Sequence, residues 1–311
     1  MTMQIEPALM PLMAALAIAP PDDIAQERAR EAAIARSAVG TFVRPVPDTV
    51  AFVDELIESA DASAPVRVRI YRPAGAEPRA GLLYLHGGGW STGSIETAHE
   101  HCGTLAADAD VVVVSVEYRL LPEHVYPAGL DDCFRALGWV AENADRLGID
   151  PQRLAVGGGS AGGNLAAAIA LRARDLGGPP IALQLLEIPV LDLTLGSPSY
   201  AEVGAQFPVL AAAGDLIRQR YLTEGVDPRD PYVSPLLAAD LTGLPPAVLL
   251  ACEIDPVRDD GIRYAERLTA AGVAARAEVF PGLIHGTQEL TLVSPQAVRF
   301  QAACVAALRA L

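Results

Sequence analysis

The chain has 311 residues, 51% of them hydrophobic, with a formal net charge of −15. That size suits one large α/β domain, or one domain carrying an inserted piece. The acidic balance argues against nucleic acid and anionic membranes as partners, since both need basic surface. All 23 basic residues are arginine, which removes Schiff-base lysines, P-loop lysines and Ser-Lys dyads.

The N-terminus carries an apolar run from Ala8 to Ala19, preceded by Glu6 and interrupted by Pro11. With no Arg or Lys ahead of it, it does not read as a signal peptide. No apolar stretch reaches the length of a bilayer span, and a cytoplasmic protein is expected. Residues 8–19 and 22–37 read as helices, the second opened by Asp22 and Asp23. Residues 38–49 form an irregular joint. Strands at 50–58 and 65–71 flank a turn-like Asp61-Ala-Ser-Ala, which suggests an antiparallel pair.

From Ala80 onward apolar strands alternate with helices. Strands are expected at 81–85, 111–117, 153–157, 181–188, 247–253 and 275–280. Helices are expected at 97–108, 129–146, 162–175, 257–271 and 294–310. Val111-Val-Val-Val-Ser-Val lacks period-2 polarity, as a strand buried on both faces should. Such alternation implies a parallel sheet with helices on both sides. More than 50 residues separate the strand ending near Val190 from the one at 247. Within them Phe207 to Leu222 reads as helical, with Phe207, Leu210, Leu216, Ile217 and Tyr221 as its apolar set. We assign 1–45 and 195–226 to a helical cap, and 46–194 and 227–311 to the catalytic domain. Cys102, Cys133, Cys252 and Cys304 lie far apart without Cys-x-x-Cys spacing, so a reduced, partly buried set is expected rather than a zinc or redox site.

Gly158-x-Ser160-x-Gly162 falls between an apolar strand and an Ala-rich helix. A serine on such a sharp turn presents its Oγ at the sheet edge, and glycines flank it because side chains there would collide with strand and helix. Upstream, His86-Gly87-Gly88-Gly89 follows another apolar strand. The amides of Gly88, Gly89 and Ala161 are the candidate donors to an oxyanion. A nucleophilic serine needs a base and the base an orienting acid, in the order Ser, acid, His for a turn of this kind. Of His86, His99, His101, His124 and His285, only His285 follows Ser160. Asp255 is the first choice of acid, after the strand Ala247–Glu253, with Glu253 and Asp259 as alternatives. His86 is expected to organise the glycine loop. His99 and His101 are expected to be surface or structural, with no metal site. Trp90 and Tyr126 suit a pocket wall or the core equally.

Five signatures agree in order: His86-Gly-Gly-Gly-Trp90, Tyr118-Arg-Leu-Leu-Pro-Glu-His124, Gly158-Gly-Ser-Ala-Gly-Gly163, Asp255-Pro-Val-Arg-Asp259 and His285-Gly286. Over roughly residues 65 to 290 the chain resembles the hormone-sensitive-lipase family of α/β-hydrolases, the bacterial family IV carboxylesterases. The resemblance implies an α/β-hydrolase fold with a mostly parallel eight-stranded sheet. It also implies a cap built from the N-terminus and an insertion, and ester hydrolysis without a cofactor. Ser160, Asp255 and His285 match the family's triad; Gly88, Gly89 and Ala161 match its oxyanion donors. The expected substrates are small-molecule esters with short to medium acyl chains, and dimerisation through the edge strand is a common family trait. Amidase or long-chain lipase chemistry on the same triad is an alternative, and a non-catalytic ligand receptor is a more distant one.

Three positions depart from the family. Gly159 stands where Asp or Thr usually precedes the serine. Thr287 replaces a frequent Phe, which could open one pocket wall or make it polar. Glu187 sits in the apolar strand Leu185-Leu-Glu-Ile-Pro189, where it could approach the site or pair with an arginine.

Overall fold

The computed structural model describes residues 3–10, 23–58, 64–75 and 78–311. Most of the expected 8–19 helix and the Asp61–Ser63 turn lie outside these; Pro7–Leu9 forms a single 3-10 turn. Eight strands make one sheet: β1 Val50–Ile57, β2 Val66–Pro73, β3 Arg79–Leu85, β4 Val112–Glu117, β5 Ile149–Gly159, β6 Leu183–Glu187, β7 Ala247–Ile254 and β8 Ala275–Ile284, in the order β1-β2-β4-β3-β5-β6-β7-β8. β2 runs antiparallel to both β1 and β4, and every other pairing is parallel. The strands expected from the sequence are all present, with β5 six and β8 four residues longer than expected.

The helices are α1 Ile24–Ala38, α2 His99–Ala109, α3 Ala128–Glu142, α4 Ala144–Leu147, α5 Ala161–Leu176, α6 Pro198–Gln206, α7 Pro208–Tyr221, α8 Arg258–Ala270 and α9 Pro295–Arg309. Asp23 caps α1 by accepting from the Ala25 amide (2.8 Å). The single helix expected over 129–146 is two, interrupted at Asn143. The connection between β6 and β7 also forms two helices where one was expected. Pro208 disfavours helical geometry at Phe207, so α6 ends there and α7 restarts with the proline in its first turn.

Two apolar layers sandwich the sheet. Alternate residues of β4 divide between them: Val112, Val114 and Val116 join one cluster, and Val113, with Val111 just before the strand, the other. The first cluster takes Leu137 of α3, Leu165 of α5 and Leu268 of α8; the second takes Leu105 of α2 and Phe300 and Leu308 of α9. Burial on both faces explains why these strands show no polar alternation. It also leaves the chemistry to the loops at the strands' C-terminal ends, where an open α/β sheet binds ligands. β3 and β5 are parallel neighbours, with Leu85 opposite Gly158. The loop after β3 and the turn after β5 therefore emerge side by side.

Candidate active site

Ser160 occupies the turn between β5 and α5 at φ 55° and ψ −114°. A non-glycine residue with positive φ is strained and persists only where its surroundings hold it. Here the packing is tight. A Cβ at Gly162 would lie 1.9 Å from the Leu85 carbonyl oxygen, so only glycine lets α5 start against β3. The Ser160 amide donates to the Glu187 carbonyl at 2.8 Å, tying the turn to β6.

His285 follows β8, and Asp255 follows β7. The three side chains form one line: His285 Nε2 lies 2.8 Å from Ser160 Oγ, and His285 Nδ1 lies 2.7 Å from Asp255 Oδ2. The other Asp255 oxygen accepts from the Val257 amide (2.9 Å). Asp255 is 1% exposed and His285 29%, so a ligand can reach the ring while water is kept from the carboxylate. Burial works against a charge on His285, but the facing Asp255 carboxylate and its hydrogen bond outweigh it and raise the imidazole pKa.

The other candidate acids are engaged elsewhere. Glu253 accepts from the Gly282 amide (2.8 Å), bracing β8 as it approaches His285. Asp259 pairs with Arg258 (2.8 Å) and accepts from the Ser199 amide (2.9 Å). Asp260, fully buried, accepts from the Leu191 and Asp192 amides (2.8 and 3.0 Å) and from Ser197. Asp259 and Asp260 thus fasten residues 191–199 to α8.

The loop after β3 brings Gly88 and Gly89 toward the same turn, both at positive φ (117° and 57°). A Cβ at Gly88 would sit 2.4 Å from the Thr92 carbonyl oxygen. The Gly88 carbonyl accepts from the Ser91 and Thr92 amides (3.1 and 2.8 Å), which curls the loop. Among the described residues, the amides of Gly88, Gly89 and Ala161 donate to no protein acceptor. His86 stacks on Tyr118 (4.2 Å between ring centroids), and its Nδ1 lies 2.8 Å from the Gly87 carbonyl. Burial lowers its pKa, so the ring is neutral and organises the loop.

Other expectations resolve differently. Thr287 is buried and bonds back on its own turn: its hydroxyl donates to the Ile284 carbonyl (2.8 Å) and accepts from the Ile284 amide (3.0 Å). It secures the loop that carries His285 rather than walling a pocket. Among the described residues Glu187 pairs with no arginine; His101 Nε2 lies 3.1 Å from its Oε1. His101 is buried and paired, which is the structural of the two roles expected for it. His99 is half-buried, its Nδ1 3.0 Å from the Tyr71 hydroxyl. No group of residues suited to hold a metal occurs among the described residues. Trp90 stacks on Tyr221 of α7 (3.9 Å), and Tyr126 meets Tyr221 edge-on (5.8 Å). These rings line one small cavity beside the glycine loop with Leu121 and Leu165. Sequence reasoning missed Ile217 as a contact of Gly89. It was marked only as part of an apolar helix face, and its partner is distant in sequence.

Residues 82–289 match a family described as having the alpha/beta hydrolase fold. The chain belongs to the hormone-sensitive-lipase family of α/β-hydrolases. It is 43% identical over 264 residues to a carboxylesterase of Mycobacterium tuberculosis, covering 83% of this chain and 82% of that protein. It is 42% identical over 224 residues to an ethyl acetate hydrolase of Pseudomonas putida, covering 70% of each. Its structure resembles that of a bacterial heroin esterase, with a TM-score of 0.89 at 36% identity, over 99% of this chain and 98% of the other.

Proposed function

We propose that this protein is a serine carboxylesterase acting on esters with short to medium acyl chains. The reading is carried by the hydrogen-bonded line Ser160–His285–Asp255 facing three unclaimed amides. His285 Nε2 takes the Ser160 proton as Oγ attacks the ester carbonyl, and Asp255 holds the imidazole tautomer and stabilises the imidazolium. The carbonyl oxygen becomes an oxyanion held by Gly88, Gly89 and Ala161 N–H groups, each such donor contributing about 2.7–4 kcal/mol. As the C–O bond breaks, His285 returns its proton to the leaving alcohol. Water, deprotonated by His285, then cleaves the acyl-enzyme and restores Ser160.

The short-chain preference rests on the similarity to an ethyl acetate hydrolase and on the closeness of the inserted helix to the glycine loop. α1 and the α6–α7 segment act together as a cap: Glu27 of α1 pairs with Arg220 of α7 at 3.0 Å. A cytoplasmic setting is supported by four free, buried thiols. No described helix is long and apolar enough to cross a membrane. A homodimer through the free edge of β8 is supported by family membership and by the place of β8 at the end of the sheet.

The test is hydrolysis of p-nitrophenyl esters from C2 to C16, with and without an organophosphonate, followed by intact mass and adduct mapping. Turnover of short esters, inhibition and one adduct on Ser160 support the assignment. Near-normal turnover by Ser160→Ala or His285→Ala overturns it.

A further inference from the structure

Beside Ser160 lies a buried ion pair that this reaction does not use. β5 and β6 are parallel neighbours with Gly159 opposite Glu187. The Glu187 carbonyl accepts the Ser160 amide, and its side chain, 0% exposed, meets His101 of α2 at 3.1 Å. Burial works to discharge His101, but the Glu187 carboxylate outweighs it and raises the imidazole pKa. Tyr84, Glu289 and Cys304 face the same pair.

The backbone here is strained twice. Ser160 sits at φ 55° and the next residue of the facing turn, Ile188, at φ 42°, a conformation that a β-branched side chain strongly disfavours. The hydrogen bond from Ser160 to Glu187 joins these two strained residues' turns. Strain of this kind lasts only while neighbouring contacts over-determine it. Gly159 supplies no side-chain contact. A Cβ there would meet only the Tyr84 hydroxyl, at an ordinary 3.5 Å, so a Cβ is accommodated without a clash. The Tyr84 ring lies 5.3 Å from the His101 ring. Position 159 and the ion pair therefore share Tyr84 as a neighbour.

We propose that Glu187, gripped by His101, is the positioning residue of the Ser160 turn, bracing from the adjacent strand what Gly159 leaves unbraced. The inference rests on Ser160 being the nucleophile. Anchoring the Glu187 side chain to α2 fixes the carbonyl that holds the Ser160 amide, and through it the aim of Oγ at His285. A buried pair used in this way serves geometry more than net stability. The same geometry suggests a remedy for its loss: a side chain at position 159 would start beside Tyr84, the ring that neighbours His101.

The experiment compares wild type, Glu187→Gln and the double variant Gly159→Asp/Glu187→Leu. Each is titrated with a p-nitrophenyl phosphonate, and kcat is expressed per titrated Ser160. We expect Glu187→Gln to lower kcat by about tenfold with KM within about twofold, and to slow phosphonate labelling by the same factor. The double variant should recover kcat to within about threefold of wild type. If kcat per titrated site is unchanged in Glu187→Gln, or if the double variant is no faster than Glu187→Gln, the inference is overturned. Wild type that neither turns over esters nor labels at Ser160 would instead remove the esterase reading on which it rests.

Discussion

Ile217 of the inserted helix α7 rests against Gly89 of the loop after β3, so closely that a Cβ on Gly89 would lie 2.9 Å from Ile217 Cγ2. One side chain of the connection between β6 and β7 thus lies against a candidate oxyanion donor. Ile217→Ala should lengthen the accepted acyl chain, lowering KM for hexanoate relative to acetate several-fold. The change removes volume without touching Ser160 or its partners. Rates across the p-nitrophenyl ester series would show it, and an unmoved chain-length optimum would refute it.

Asp255→Asn keeps the shape of the acid but removes the charge facing His285 Nδ1, 2.7 Å away. The amide also permits the wrong imidazole tautomer. We expect kcat to fall by roughly 10⁴-fold, in line with the loss seen when a triad aspartate becomes asparagine. Thermal melts should show a folded protein. A loss of less than tenfold would mean that another group orients His285.

The raised pKa of His285 sets the acid limb of activity. Only the neutral ring can accept the Ser160 proton, so kcat/KM should fall about tenfold per pH unit as pH drops through that raised value. The midpoint should lie above the ordinary His value of ~6.5. Stability runs the other way. A raised folded-state pKa stabilises fully below the ordinary value, and that contribution is lost as pH rises through the folded value. Activity lost toward pH 6 should therefore not come from weaker His285 interactions. Rate profiles and urea melts at each pH separate the two, and an acid limb centred below pH 6 would contradict the geometry.

Arg28 of α1 donates to the carbonyls of Ser91 (2.8 Å) and Leu121 (2.6 Å) and pairs with Glu123 (2.8 Å). It pins the N-terminal helix to the loops beside Gly88 and Gly89. The Glu123 pair is solvent-screened and contributes little. The two carbonyls are the stronger contacts, so Arg28→Ala should cost about 1–3 kcal/mol. KM should rise more than kcat falls, because α1 is joined to α7 through Glu27 and Arg220. Urea melts and steady-state kinetics check this. Unchanged KM would mean that α1 does not shape the substrate site.

The candidate site was legible in the sequence because its members sit on local motifs. Ser160 announces itself by the glycines that β3 and α5 require, and His285 by being the one histidine downstream of it. The break at Phe207–Pro208 was missed, with one helix expected from Phe207 onward, although proline limits the conformation of the residue before it. The role of Thr287 was not legible, because its hydroxyl could equally face solvent, a pocket or its own backbone. The partner of Glu187 was illegible for another reason. His101 lies 86 residues away on another element, and nothing local distinguishes it from His99.

By itself, then, the sequence determined the strands, their burial on both faces, the glycine loop, and the order of serine, acid and histidine. These depend on periodicity, steric need for glycine and chain order, all of which are local or one-dimensional. Tertiary structure alone decided that Asp255 rather than Glu253 or Asp259 meets His285. It also set Ile217 over Gly89 and joined His101 to Glu187 beneath the serine turn. Those relationships depend on which strand ends and helix faces the sheet order brings together, and pairing across such distances is set by packing of the whole chain rather than by any one segment of it.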